Sequence, residues 1–320
     1  MATVCRIVLC RGPLPRPETI MTAPPPARPA APASQLRGTL LMVTSTVFFA
    51  FADILAKELA GRLPAMEVVW LRYITFGALV IPLVLAGGGG AAALRSRRPG
   101  LQVLRGFGMV GSAMLFTAAL PFLPVAETTA IYFVSPILIM ALSIPFLGET
   151  VGWRRWTAAL VGLSGMLLII RPGTSAFEAA ALLPLLGASS WALAAVVTRK
   201  MSGQDPAATT LVYSAIVGIV LISLLQPFVW VAPGLPEIGI GLAMGLLSTL
   251  GHWLVILAYR HADASIIAPF SYIQLLWAGI LGYFAFGSIP DAWTIAGAGI
   301  IALSGLYTAY RERVRAAAKA

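Results

Sequence analysis

The stretch from Ala118 to Ile170 returns, altered, as Leu257 to Tyr310, and this internal repeat limits what the chain can fold into more than any other feature. A shift of 139 residues sets Leu142 on Leu281 and Gly148 on Gly287. One residue more sets Trp153 on Trp293 and Leu163-Ser164-Gly165 on Leu303-Ser304-Gly305. Each copy is two long apolar runs joined by a short turn, Ala126 to Leu147 then Trp153 to Ile170, against Ala264 to Phe286 then Ala292 to Tyr310. A water-soluble domain cannot hide so much consecutive apolar surface, so the runs read as membrane-spanning helices.

Composition agrees. Hydrophobic residues make up 59% and charged residues 11% of the chain, where soluble domains carry roughly 25% charge. Windows of about 20 apolar residues mark Gly38 to Ala56, Met66 to Ala86, Leu101 to Leu120, Ala126 to Leu147, Trp153 to Ile170, Glu178 to Thr198, Ala207 to Trp230, Glu237 to Ala258, Ala264 to Phe286 and Ala292 to Tyr310. The expected fold is therefore an all-α polytopic membrane protein with ten transmembrane helices. A net charge of +10 sits between apolar runs rather than along one face, so it reports topology and points away from nucleic acid. With the amino terminus inside, eighteen basic residues fall on cytoplasmic segments, Arg105 among them, and only Lys57, Arg62 and Arg171 fall outside. Both termini are then expected in the cytoplasm. Because the repeat restarts after five spans, an odd number, the two halves are expected to be inverted, a transporter design with a shared midplane site.

The organisation read from this pattern is a first five-helix repeat over 38–170, a second over 178–310, and a basic cytoplasmic tail over 311–320. Residues 1–37, rich in Pro, Ala and Arg, are expected to be disordered, and Met21 is expected to be the true start. Cys5 and Cys10 both lie in this tail, so the body has no disulfide framework or thiolate metal site. Two histidines are too few for a zinc cage. No cofactor or metal is expected.

Local motifs carry a resemblance. Asp53-Ile-Leu-Ala-Lys57 closes helix one, Glu67-Val-Val-Trp-Leu-Arg72-Tyr73 lies in helix two, and Gly148-Glu149 ends helix four ahead of a Trp-containing helix. With the five-plus-five repeat, these resemble EamA-type members of the drug/metabolite transporter superfamily over roughly residues 36 to 311. Adding Leu104-Arg105-Gly106, Ala262-Asp263-Ala264 and Ala268-Pro269, the set is similar to bacterial carriers described as S-adenosylmethionine uptake transporters. The resemblance implies a secondary carrier in a bacterial inner membrane. This chain departs from the pattern at Gln274, where such relatives often carry Glu, and at Gly287-Ser288 in place of Gly-Glu.

Ionisable groups inside a bilayer are costly, so they face a cavity or a partner. Asp53 and Arg72 lie at similar depth and have two readings. Either they bind the amino and carboxylate ends of a zwitterion, or they form a structural ion pair with Glu67 and Lys57 nearby. Ser135 and Gln274 face each other in the repeat alignment. Pro136 and Pro269 free backbone carbonyls that either line the central site or mark ordinary kinks. Among Phe48, Phe51, Tyr132, Phe133, Trp191, Phe270, Tyr272 and Trp277, some are expected to stack on a flat ring or a cation. Tyr132, Trp191, Phe270 and Tyr272 are the substrate-binding candidates. His252 is either a proton shuttle or a hydrogen-bonded buried imidazole, and proton coupling through Asp53 or His252 is left open. Gly241 and Gly245 form a bare GxxxG, too common to imply dimerisation, and a monomer or weak homodimer is expected.

These readings favour a carrier of a small metabolite, S-adenosylmethionine-like, amino-acid-like or flat and heteroaromatic, embedded in membrane lipid. The alternatives are a flippase for lipid-linked substrates and a membrane-embedded enzyme. The last lacks its parts, with no HExxH, no nucleophile-plus-histidine set and no catalytic residue to name.

Overall fold

A computed structural model describes residues 32–86, 94–148, 151–172, 178–201, 204–261 and 268–317. Most of the expected disordered tail, the Gly87 to Gly90 run, Glu149, the 173–177 boundary and Ala262-Asp263-Ala264 lie outside these residues.

The helices are α1 (Pro32–Ala60), α2 (Ala65–Val84), α3 (Pro99–Ala119), α4 (Val125–Tyr132), α5 (Ser135–Leu147) and α6 (Trp153–Ile170). They continue with α7 (Leu182–Lys200), α8 (Ala207–Leu225), α9 (Leu235–His261), α10 (Ile273–Phe286) and α11 (Ala292–Ala317). No strand occurs among the described residues. Among the described residues seven helical stretches are long and apolar enough to cross a membrane, and Trp156–Ile170, Phe270–Phe286 and Ala292–Thr308 are shorter apolar ones. The chain is an all-helical, multi-pass membrane protein. Both ends are more helical than the composition suggests: α1 begins at Pro32 rather than Gly38, and α11 continues through the basic tail to Ala317.

The expected continuous helix from Ala126 to Leu147 is broken. It stops at Tyr132, turns through Phe133 and Val134, and restarts at Ser135. Pro136 supplies the reason: its ring disfavours helical geometry just before it, and its missing N–H costs nothing in a first turn. Pro136 is thus the start of a new helix rather than a kink within one. The second half repeats the device, with a short 3-10 turn over Ala268–Tyr272, which includes Pro269, before α10 begins. The backbone keeps the repeat at the other end too. Gly148 (φ 68°) and Gly287 (φ 65°) each cap their helix in the left-handed conformation that glycine alone adopts at no cost.

The most extensive interfaces all join residues before 171 to residues after 178. They pair α1 with α9, α3 with α7, α6 with α11, α2 with α8 and α9, α3 with α8, α5 with α7, α1 with α10, and α4 with α10. Counting α4 and α5 as one broken rod, replacing each rod by the one five places away returns the same set of pairs. Small residues permit these approaches, because packing replaces hydrophobic drive in lipid. A Cβ on Gly165 would sit 2.7 Å from the carbonyl of Gly297, and one on Gly297 would strike the carbonyl of Gly165. A Cβ on Gly241 or Gly245 would meet Leu71 at 2.6 Å or Thr75 at 2.5 Å. The GxxxG therefore seats α9 on α2 within the chain.

Polar ties close the ends of the bundle. Arg62 pairs with Glu58 and, at 3.3 Å, with Glu237. Arg171 pairs with Asp291 at 2.8 Å. Asp205 accepts from the Ser96 hydroxyl, from the Arg97 backbone N–H at 2.8 Å and from Gln102 at 2.8 Å.

Candidate functional site

Helical spacing brings polar groups from both halves onto one cavity of about 530 Å³. On α1, Phe49 and Asp53 are one turn apart and share a face. Arg72 and Phe76 do the same on α2. On α3, Arg105, Met109, Ser112 and Phe116 form one stripe. The break between α4 and α5 presents Tyr132, Phe133, Ser135 and Pro136, and the second half adds Trp191, Ser214, Ser248, His252 and Gln274.

Asp53 and Arg72 each stand seven residues from the turn that joins their helices, Asp53 before Ala60 and Arg72 after Ala65. At a rise of about 1.5 Å per residue that puts both roughly 10 Å deep. Asp53 and Arg72 face the same cavity without a direct ion-pair contact. Asp53 Oδ2 accepts instead from Gln274 Nε2 at 3.0 Å, while Arg72 has no hydrogen bond or ion pair among the described residues. Lys57 turns away and donates to the carbonyls of Leu120 (3.1 Å) and Leu123 (2.7 Å), closing the end of α3. Glu67, fully buried, accepts the backbone N–H of Val231 at 3.2 Å.

Other lining groups are held in place by their neighbours. The Tyr132 hydroxyl lies 2.8 Å from Ser112 Oγ, and its ring meets Phe116 edge-on at 5.4 Å. His252 places Nδ1 2.8 Å from the Ser248 carbonyl, and its ring meets Phe49 edge-on at 4.8 Å.

Phe270 and Tyr272 lie outside the lining. Phe270 packs on Met42 and Ala258, and Tyr272 rests on Phe133 at 5.1 Å. Phe51 faces outward, 45% exposed, and its neighbour Phe49 takes the inward place. Phe48 and Trp277 are also absent from the lining. The side chain of Pro269 lies outside what is described.

Arg105 corrects the charge tally. It is a basic residue within α3, not a cytoplasmic loop charge, because hydroxyls from two other helices receive it: Nε donates to Thr198 Oγ1 at 2.7 Å and a terminal nitrogen donates to Ser214 Oγ. The signal available was its 3.6-residue phase with Met109, Ser112 and Phe116.

A bundle whose halves exchange contacts pairwise and close on a charged internal cavity narrows the family, and comparison decides it. The family model described as EamA-like transporter family matches twice, over residues 36–171 and 179–310. The chain belongs to the EamA-like transporter family. The S-adenosylmethionine uptake transporter of Rickettsia prowazekii is 28% identical over 87% of this chain and 94% of its own. The riboflavin transporter of Vibrio cholerae is 30% identical over 84% and 91%. The pseudopaline exporter of Pseudomonas aeruginosa is 31% identical over 83% and 94%. A crystal structure 22% identical in sequence, covering 86% of this chain and 98% of that one with a TM-score of 0.60, shares the fold. The EamA-like family and these relatives are transporters and not enzymes.

Proposed function

We propose that this EamA-like protein is a secondary carrier that moves a small organic metabolite across a bacterial inner membrane by alternating access. The observation that carries the reading is the 530 Å³ cavity, lined by charged and aromatic residues from both halves of the chain. Two inverted five-helix repeats, over 38–170 and 178–310, would open such a cavity to either side in turn. The double family match and the exchange symmetry of the helix contacts support this arrangement. Both termini then lie in the cytoplasm, and one copy of the chain suffices for the path.

In this reading Arg72 binds a carboxylate and Asp53, steadied by Gln274, binds an amino group. Ser135 and Gln274 orient the solute from the first turns of α5 and α10. Tyr132 and Trp191 stack on its flat part. Tyr272 acts on the site through Phe133, which it supports, and Phe270 acts through the α1–α9 packing it joins. The breaks at Pro136 and Pro269 leave helix starts facing the path, where backbone N–H groups favour anionic groups. Asp53 and His252 are the groups that would carry a coupled proton. The solutes for which relatives are named, S-adenosylmethionine, riboflavin and pseudopaline, all make sense of a cavity with aromatic walls and fixed charges.

Uptake of labelled S-adenosylmethionine, riboflavin and a panel of amino acids into proteoliposomes, with and without a pH gradient, tests the reading. Saturable flux of one of them supports it. Flux of none, in vesicles whose protein remains folded, counts against it.

A further inference from the structure

The cavity is unbalanced in charge. Arg72 and Arg105 both line it, and Asp53 is the one carboxylate among the lining residues. Asp53 spends an oxygen on Gln274, a neutral donor. Arg72 makes no hydrogen bond or contact ion pair among the described residues, and the charge it feels from Asp53 acts across the cavity. Arg105 is held by Thr198 and Ser214, whose hydroxyls supply lone pairs but no charge. A guanidinium carries five N–H donors, and those two bonds use only Nε and one terminal nitrogen, so the rest of the fork is open to a ligand. Uncompensated charge is expensive in a membrane interior. A site that keeps two guanidiniums against one carboxylate is stabilised most by a ligand that brings the missing negative charge.

We propose that the cavity selects solutes carrying one more negative than positive charge, with Arg72 holding one anionic group and Arg105 a second. The inference rests on the carrier reading above and narrows its substrate class. It ranks S-adenosylmethionine, whose sulfonium and ammonium outnumber its carboxylate, below acidic solutes of similar size. Planar guanidinium forks suit carboxylate and phosphate oxygens in particular. Arg105 is then a specificity residue. Its position on the α3 stripe, across from Ser214 on α8, puts the second anionic group against the first-half wall.

The test uses the purified full chain in nanodiscs, in a low-ionic-strength buffer free of carboxylate and phosphate anions, with ligand affinities measured by calorimetry. The probes are matched pairs that differ mainly in charge: glutamine and glutamate, riboflavin and riboflavin 5′-phosphate, S-adenosylmethionine and S-adenosylhomocysteine. In every pair that binds, the more negative member should bind tighter by roughly tenfold or more. In Arg105→Gln that ratio should fall toward one, and in Arg105→Lys it should persist. Tighter binding of the less negative members, or an unchanged ratio in Arg105→Gln, overturns the inference while leaving the carrier reading in place. Absence of binding by all six, together with absent flux, removes the carrier reading and the inference with it. The ordering in the unmodified protein decides the matter even if a variant fails to fold.

Discussion

Asp53 on α1 accepts a hydrogen bond from Gln274 at the first turn of α10, 3.0 Å away and 221 residues later in the chain. That bond joins the two halves at the cavity wall. It also leaves Arg72, at matching depth, facing the cavity with its N–H donors free of any hydrogen bond among the described residues.

Asp53→Asn keeps an acceptor for Gln274 and removes the charge. We expect initial uptake into proteoliposomes to fall by roughly tenfold or more, the loss of a charge-assisted hydrogen bond worth about 1.5–3 kcal/mol. Protein abundance and melting should change little. Uptake at the original rate would dismiss the binding role.

Gly297→Val drives a branched side chain into the carbonyl of Gly165, where α6 and α11 touch. Overpacking of this kind costs about 1–3 kcal/mol. Thermal unfolding in detergent should show a lower midpoint than for Gly299→Val, since a Cβ on Gly299 meets nothing within 4 Å. Equal midpoints would argue that the two helices are not in close contact.

Lys57→Met leaves the carbonyls of Leu120 and Leu123 without the ammonium that now satisfies them. Unpaired buried acceptors cost about 1–3 kcal/mol. The variant should unfold at lower denaturant, and amide exchange should quicken in the α3–α4 turn before it does elsewhere.

The Asp205 carboxyl, in the loop before α8, is held below its usual value of 3.8 by the Ser96 hydroxyl, with the Arg97 backbone N–H and Gln102 adding to the effect. A depressed folded value means that its stabilisation is present above the ordinary aspartate range and is lost as pH falls through the lowered one. The wild type should therefore melt above Asp205→Asn at neutral pH, by less than about 1 kcal/mol for a surface contact. The gap should close as the pH drops below 3.8. A gap that widened on acidification would contradict the assigned bonds.

Single cysteines at Leu36, Val314 and Phe122, in a chain with Cys5 and Cys10 replaced by serine, read the topology. Leu36 and Phe122 are 61% and 64% exposed. A membrane-impermeant maleimide should reach positions 36 and 314 from the cytoplasmic face and position 122 from the other. Labelling of 36 and 314 from opposite faces would rule out the inverted arrangement.

Much was legible without coordinates because it is local. A run of about 20 apolar residues spans a membrane wherever it occurs, so the apolar helices and their repeat are legible in residue order, while the break between Tyr132 and Ser135 is not. Depth follows as well, since the rise per residue is constant, and this is why Asp53 and Arg72 lie level. What order along the chain does not specify is the rotation of each rod about its axis and the partner that meets each side chain. Those came from packing between halves: Phe49 faces inward where Phe51 does not, Asp53 takes Gln274 in preference to Arg72, and Arg105 enters the cavity between Thr198 and Ser214. The Gln274 amide and the Thr198 and Ser214 hydroxyls that hold Asp53 and Arg105 all lie more than ninety positions away, and no window of neighbouring residues contains them.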